Sequence, residues 1–394
     1  MVLPENLKKK TKEYRELLMS IRHHLHAHPE LSFKEFETSR FIAEQLNNWN
    51  IAYKTLAGTG IEGIIEGKNP SYKTIALRAD IDALPIQEEN EVEYRSQNEG
   101  IMHACGHDVH TTCLLGAAKI LKDMKDEWQG TVKLIFQPGE EKNPGGASLM
   151  IKDGVLENPK PEAIVAMHVH PGLEAGKLSF RKGLIMASAD EIYITIKGKG
   201  GHAASPHLTA DTILIASQII VSLQQIISRN NNPFTPSVLS ICSFRGGNTT
   251  NVIPAEVKLM GTFRTMDENW RYKAHELIEK HVTGIAQAMG AEADVNIDVG
   301  YPAVYNSEQV TDNAVLLAKE FFGDDNIEET ELRMGAEDFG FYAQKLPACF
   351  FRLGVRNEGQ GIVHNVHTAR FNIDESALES GAGIMAWMGM KLKA

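Results

Sequence analysis

The chain has 394 residues, a formal net charge of -11, 43% hydrophobic and 23% charged residues. That length accommodates two or three domains with packed cores, and the composition is that of a globular protein. The acidic balance, with Lys8-Lys9-Lys10 read as a solvated helix face, argues against nucleic acid and against a membrane surface as partners.

Helical spacing of apolar residues predicts helices over 5–28 and 34–48, broken at Pro29. Short apolar runs predict strands at 63–67, 74–80, 131–137 and 162–168, with a long helix over about 107–124. Strands alternating with helices imply an α/β fold, a mostly parallel sheet with helices on both faces. From residue 188 the pattern changes to strand, helix, two strands, helix and strand, complete by about residue 302. That order is the ferredoxin-like split unit, expected as a separate α+β domain inserted into the larger one. The larger domain, residues 1–187, is expected to resume at 303–394 with a helix near 308–322, the loop "RMGAEDF", the strand "ACFFRLG", the segment "HNVHTARF" and a terminal helix. The opening "MVLPENLKKK" has no apolar leader, and no run approaches the roughly 18 apolar residues of a spanning helix, so a cytoplasmic location is expected. Four scattered cysteines fit a reducing compartment; Cys113, Cys242 and Cys349 are expected in the core.

Three of the predicted strands end in polar residues. "TIALRAD" ends at Asp80 and runs on to Asp82, "TVKLIFQPGEE" ends at Glu140 and Glu141, and "EAIVAMHVH" presents His168 at a strand tip. Ligands of open α/β sheets gather beyond the carboxyl ends of the strands, so these segments should converge. "HACGHDVH", residues 103–110, adds a Cys-x-His pair, Cys105 and His107, ahead of a helix. The segment alone is compatible with a redox centre, a cysteine nucleophile with its base, or half of a metal cage. Adjacent carboxylates such as Glu140 and Glu141 repel unless a cation neutralises one of them. With His364 or His367 from "HNVHTARF", the donors become thiolate, imidazole and carboxylate, a mixture suited to borderline-soft divalent ions. Five ligands suit two ions that share one bridging group, and Cys105 could be that bridge. His23, His24, His26 and His28 lie along one helix end and are read as capping and packing residues.

The ordered motifs "HAHPELSFKE", "RADIDALP", "HACGHDVHTTCLLGAA", "FQPGEE", "GKGGHAASPH", "NVIP", "MGAEDF" and "HTARF" resemble the M20 metallopeptidase family, a zinc-exopeptidase-like fold. The likeness is to its amidohydrolase branch of N-acyl-amino-acid deacylases, hippurate hydrolases and auxin-conjugate hydrolases. The resemblance implies two divalent ions, Zn, Mn, Co or Ni, bridged by Cys105. Glu141 and His367 would complete one site, and His107 and His168 the other. It further implies Glu140 as general base, Asp80 as the carboxylate that orients a ligand, and His202 as a holder of the substrate's carbonyl oxygen. Asn251 and Arg264 would meet a substrate carboxylate. The inserted domain matches the family's lid, which often forms a homodimer. Arg78 stands where other branches carry a histidine ligand; a guanidinium cannot ligate, so that duty passes to His107. The implied activity is deacylation of N-acyl-L-amino acids. The alternatives are a dipeptidase or aminopeptidase of the same family, a cysteine hydrolase using Cys105, and a non-catalytic metal-dependent binding protein.

Overall fold

The computed structural model describes residues 2–393. Two compact units emerge: one holds the chain up to Ile185, Tyr305–Glu331 and the part from Asp338 onward, and the other holds Met186–Val304 and Leu332–Glu337.

The larger unit opens with α1 (Val2–Glu13), α2 (Arg15–Ala27) and α3 (Phe36–Asn48). The first two were expected as one helix; they part at Tyr14, where neither Pro nor Gly marks a break. Next come β1 (Ala52–Leu56), β2 (Gly60–Glu66), β3 (Thr74–Asp80), α4 (His107–Asp123), β4 (Thr131–Gln137), α5 (Gly146–Lys152), β5 (Ala163–Glu174) and β6 (Leu178–Phe180). The largely exposed β1 has no apolar alternation, which is why the sequence concealed it. Every residue of β3 and β4 is buried, as strands covered on both faces must be, and this accounts for their mostly apolar sequence, broken within the strands by buried Arg78 and Lys133. α2 buries Leu18, Ile21, Arg22, Leu25 and His26, one stripe at three- and four-residue spacing.

The smaller unit contains β7 (Asp190–Lys197), α6 (Thr212–Gln225), β8 (Ser237–Arg245), β9 (Glu256–Thr265), α7 (Glu268–Ala288) and β10 (Glu292–Val299). Its antiparallel sheet has the order β8-β9-β7-β10, the ferredoxin-like arrangement. Buried Asp190 joins its elements, accepting from Arg271 Nε at 3.0 Å, His275 Nε2 at 2.7 Å and Gly300 N at 3.2 Å. The segment Thr212–Asn230 is long and apolar enough to cross a membrane by composition, contrary to the expectation that no run would be. It is a core helix: Ile215, Ala216, Ile219 and Leu223 pack in the cluster with Ile192, Ile194 and Ile196 of β7. Cys242, expected in the core, is exposed on edge strand β8, where a register shift between Ile241 and Ser243 interrupts the alternation of faces. Cys113 and Cys349 are buried as expected.

The larger unit resumes with α8 (Glu308–Phe322), β11 (Ile327–Glu329), β12 (Ala348–Arg356) and α9 (Ser376–Lys391). Its eight strands run β1-β2-β4-β3-β5-β12-β6-β11. Pairs β4–β3, β3–β5, β5–β12 and β6–β11 are parallel, so the sheet is mostly parallel. β5 is longer than its apolar run suggested, so His168 lies within the strand and not at its tip. It still opens on the crevice, because pairing with β3 stops at Ala166 while pairing with β12 continues past His168.

Candidate metal centre

The site is built where β3, β4 and β5 of the larger unit leave their shared pairing. Cys105 and His107 flank Gly106, whose φ of 82° turns the chain into α4. A Cβ at Gly106 would lie 2.6 Å from Val169 Cγ2, so glycine alone brings the thiol and the imidazole this close to β5. Glu140 and Glu141 follow β4 after Pro138-Gly139. Gly139 N donates to Glu35 Oε1 at 2.8 Å, and Glu35 Oε2 accepts from Thr59 Oγ1 at 2.7 Å. The "HPELSFKE" segment therefore buttresses the carboxylate turn. His367 has a left-handed backbone, φ 62°, uncommon for a residue with a side chain, and its N donates to Ala104 O at 2.7 Å.

These placements bring all five predicted donors together. Cys105 Sγ is 3.4 Å from His168 Nε2 and 3.3 Å from His367 Nε2, and His367 Nε2 is 3.1 Å from Glu141 Oε1. Two donor groups, Cys105–His107–His168 and Cys105–Glu141–His367, each have ligand atoms within 4.8 Å of one another and share the sulfur. Glu140 forms a third such group with His107 and Glu141 and is itself buried.

The donors fit a pair of divalent cations. His107 Nε2 is buried without a hydrogen-bond partner, while His107 Nδ1 lies 3.1 Å from Asp82 Oδ1. His168 donates from Nδ1 to Val169 O at 2.7 Å, which leaves the Nε2 lone pair on the side of the sulfur. A tetrahedral ion with bonds of about 2.3 Å to sulfur and about 2.1 Å to nitrogen holds those atoms about 3.6 Å apart. The two S···N separations here, 3.3 and 3.4 Å, differ from that by a few tenths of an ångström. The charges agree. Hydrogen bonds to Cys105 and Glu141 raise the His367 pKa to about 10, so the cluster already attracts positive charge. Burial, then the Glu141 carboxylate, push the Cys105 thiol up, the opposite of what a free cysteine nucleophile needs. Burial and the neighbouring His110 hold His168 well below the ordinary imidazole value, in the neutral form that ligates.

Asp80, expected to orient a ligand, lies 3.8 Å from His107 Nε2 and bonds instead to His110 Nδ1 at 2.5 Å and Arg78 at 2.7 Å. His110 in turn accepts from Val169 N at 2.9 Å, which ties α4 to β5 beside His168. Arg78 is fully buried; besides Asp80 it reaches Gln137 Oε1 at 2.9 Å and Asp338 Oδ1 at 2.9 Å. The sequence assigned no part to Gln137, Asp338 or Ser32, and left Asp82 without a role. The usable signals were the "MGAEDF" and "HPELSFKE" motifs and the two-residue spacing of Asp80 and Asp82 at the end of β3. Of the four histidines near the end of α2, His26 is more than packing: fully buried, it bonds Asp108 at 2.7 Å and Glu88 at 3.0 Å.

In the smaller unit, His202 pairs with Val252 in a short antiparallel ribbon, and Ala203 N donates to Asn251 O at 3.0 Å. His202 and Asn251 are thus neighbours. Arg264 lies outside that ribbon, on β9 opposite Val238.

An open, mostly parallel α/β sheet that gathers thiol, imidazole and carboxylate at one crevice where its strand pairing ends defines the class: a metallopeptidase-type hydrolase. Residues 76–389 match the sequence profile of peptidase family M20/M25/M40, and the chain belongs to that family. It is 40% identical over 396 residues to thermostable carboxypeptidase 2 of Saccharolobus solfataricus, covering 99% of each chain. It is 42% identical over 306 residues to an N-acyl-L-amino acid amidohydrolase of Geobacillus stearothermophilus, covering 77% of this chain and 82% of the relative. Among solved structures it resembles the Bacillus subtilis YxeP protein, a dinuclear metal binding peptidase from the M20 family, with a TM-score of 0.83, 34% identity and coverage of 96% and 98%. The protein is accordingly a hydrolase of amide bonds.

Proposed function

We propose that this chain is an N-acyl-L-amino-acid amidohydrolase whose Cys105 would be a ligand common to two divalent ions. One observation carries the proposal: two donor triads share a single sulfur, with buried Glu140 beside both. Cys105, Glu141 and His367 would hold one ion, and Cys105, His107 and His168 the other; the donor set admits Zn, Mn, Co or Ni. The ions, when bound, lower the pKa of water toward about 7 and polarise the scissile carbonyl.

Glu140 takes the proton of the attacking water on its carboxylate and delivers it to the departing amine nitrogen. His202 supports the oxyanion. Its Nδ1 accepts from Ala204 N at 3.0 Å, so the ring proton resides on Nε2, the tautomer that can donate to a developing negative oxygen. Asn251 and Arg264 recognise the carboxylate of the amino-acid half. The four free thiols suit a reducing, cytoplasmic setting.

A carboxypeptidase reading has its own support in the relative that is 40% identical over 99% of the chain. Both activities cut an amide on the acyl side of an amino acid with a free carboxylate, so the acyl half distinguishes them. The metal-reloaded protein is expected to hydrolyse N-acetyl, N-benzoyl or indole-acyl amino acids at least tenfold faster, by kcat/KM, than free dipeptides or blocked peptides. Faster cleavage of peptides would overturn the acyl preference.

The lid also supports a homodimer. Edge strand β8 exposes Val238 and Phe244, and α6 exposes Leu214 and Val221, apolar surface beside unpaired strand backbone. Sedimentation of the wild type should give a dimer, and Val221→Glu combined with Phe244→Glu a monomer. A monomeric wild type at micromolar concentration contradicts this assembly.

A further inference from the structure

We infer that His26 is a positioning residue, a buried imidazolium that clamps both ends of the segment carrying Cys105 and His107. Its consequence for the ions rests on the metal reading of the site; the clamp itself does not. His26 is fully buried on α2, and each of its ring nitrogens faces a carboxylate. Nδ1 lies 2.7 Å from Asp108 Oδ2, in the first turn of α4, and Nε2 lies 3.0 Å from Glu88 Oε1. Asp108 Oδ2 also accepts from Arg22 Nε at 3.1 Å, and Glu88 Oε2 from Ser96 N at 2.6 Å. An ionised carboxylate only accepts, so both ring nitrogens carry protons and the ring is charged. Burial and the Arg22 guanidinium oppose that charge, but Asp108 and Glu88 prevail and raise the His26 pKa. Tyr94 meets the ring edge-on at 5.7 Å, and burial pushes neighbouring His103 down to about 4, so it adds no competing charge.

Glu88 belongs to residues 85–101, which form neither helix nor strand. Loops longer than about 12–15 residues without secondary structure are uncommon and usually functional or disordered. This one is closed at its neck, where Leu84 and Met102 exchange two backbone hydrogen bonds of 3.0 Å. Glu88 closes it again from within, accepting from Ser96 N and from Asn90 Nδ2, the latter at 3.0 Å. The loop also leans on the chain beyond His367: Glu89 N donates to Ala369 O at 2.8 Å and Asn90 Nδ2 to Phe371 O at 2.9 Å.

The neck ends at Met102, α4 begins at His107, and Cys105 lies between. His26 therefore grips that segment from both directions, through Glu88 before it and through Asp108 after it. Arg22, one turn earlier on the same face of α2, extends the tie, donating from Nη2 to Asn372 Oδ1 at 3.0 Å and from Nη1 to Glu375 Oε1 at 3.1 Å. Glutamine cannot replace the ring. Its NH2 could serve one carboxylate, but its carbonyl oxygen would then face the other.

The test uses the Zn-reloaded full chain with heavy nitrogen in its histidine rings. The assigned His26 signals are expected to show both ring nitrogens protonated at a pH where free imidazole is neutral. In His26→Gln, hydrogen exchange of the amides of residues 84–108 should quicken at least about tenfold, while that of β7 in the smaller unit stays unchanged. A general loss of stability would not confine the effect in this way. Zn affinity should fall about 10-fold, the low end for a change outside the ligand set. Glu88→Gln, which leaves the Asp108 tie in place, should quicken exchange in 84–102 alone. A wild-type His26 with one bare ring nitrogen overturns the inference, and so does wild-type exchange in both variants. If His26→Gln does not fold, the wild-type spectrum and Glu88→Gln decide, and wild-type exchange in Glu88→Gln then overturns it. A wild type that holds no Zn sinks the metal reading, a separate outcome that leaves the spectra and the exchange rates to judge the clamp.

Discussion

Glu140→Gln is expected to lower kcat by about 10²- to 10⁴-fold, the usual contribution of a positioned general base, while its metal content stays at the wild-type level. Glutamine keeps the size of the side chain and removes its capacity to take a proton. The donors meant for the ions, Cys105, His107, Glu141, His168 and His367, are untouched by the change, so binding and chemistry should separate. Glu140 is placed for this duty by β4 and by the Gly139 turn, which Glu35 secures from the N-terminal segment. It is buried within 4.8 Å of both His107 and Glu141 donor atoms. Metal analysis and kcat on the same reloaded sample decide the matter. A variant that turns over near the wild-type rate places the base elsewhere.

Removal of the shared sulfur should be equally severe. Cys105→Ala takes one donor from each triad at once, whereas His168→Ala or His367→Ala takes a donor from only one. The alanine variant is expected to retain less than one ion per chain after dialysis and to lose more rate than the roughly 10- to 100-fold typical of an outer-shell change. Chelation of the wild type should abolish turnover, and added Zn or Mn should restore it. A cysteine hydrolase behaves in the opposite way: it survives chelation and is lost to a thiol alkylator. The surroundings of Cys105 favour the metal reading, because its sulfur is the one donor that both triads share. Full activity of the stripped protein would return Cys105 to the role of nucleophile.

Much of the fold was legible because buried strands and amphipathic helices advertise themselves. β3, β4 and α8 begin and end where their apolar periodicity does. The two-layer order of the inserted unit was equally plain. Exposed β1, the division between α1 and α2, and the extension of β5 to Glu174 were not, since each depends on neighbours and not on local pattern. The "RMGAEDF" motif marks the Leu332–Glu337 segment, but nothing in it announces that the segment clusters with the smaller unit.

The candidate site divides along the same line. Donor type and order are properties of the sequence: a thiol and an imidazole around a glycine, paired carboxylates after one strand, a histidine on the next, and another histidine more than two hundred residues beyond Cys105. Which oxygen meets which nitrogen was decided only by folding. Asp80 and Asp82 stand two residues apart in one extended run, yet the first turns to His110 and Arg78 while the second holds His107, Ser32 and the Glu141 amide. Local spacing sets the side of the chain on which a carboxylate emerges. Its partners come from α4, the 30–35 segment and the β4 turn, and hydrogen bonds are short-range and directional, so only the assembled packing selects among them.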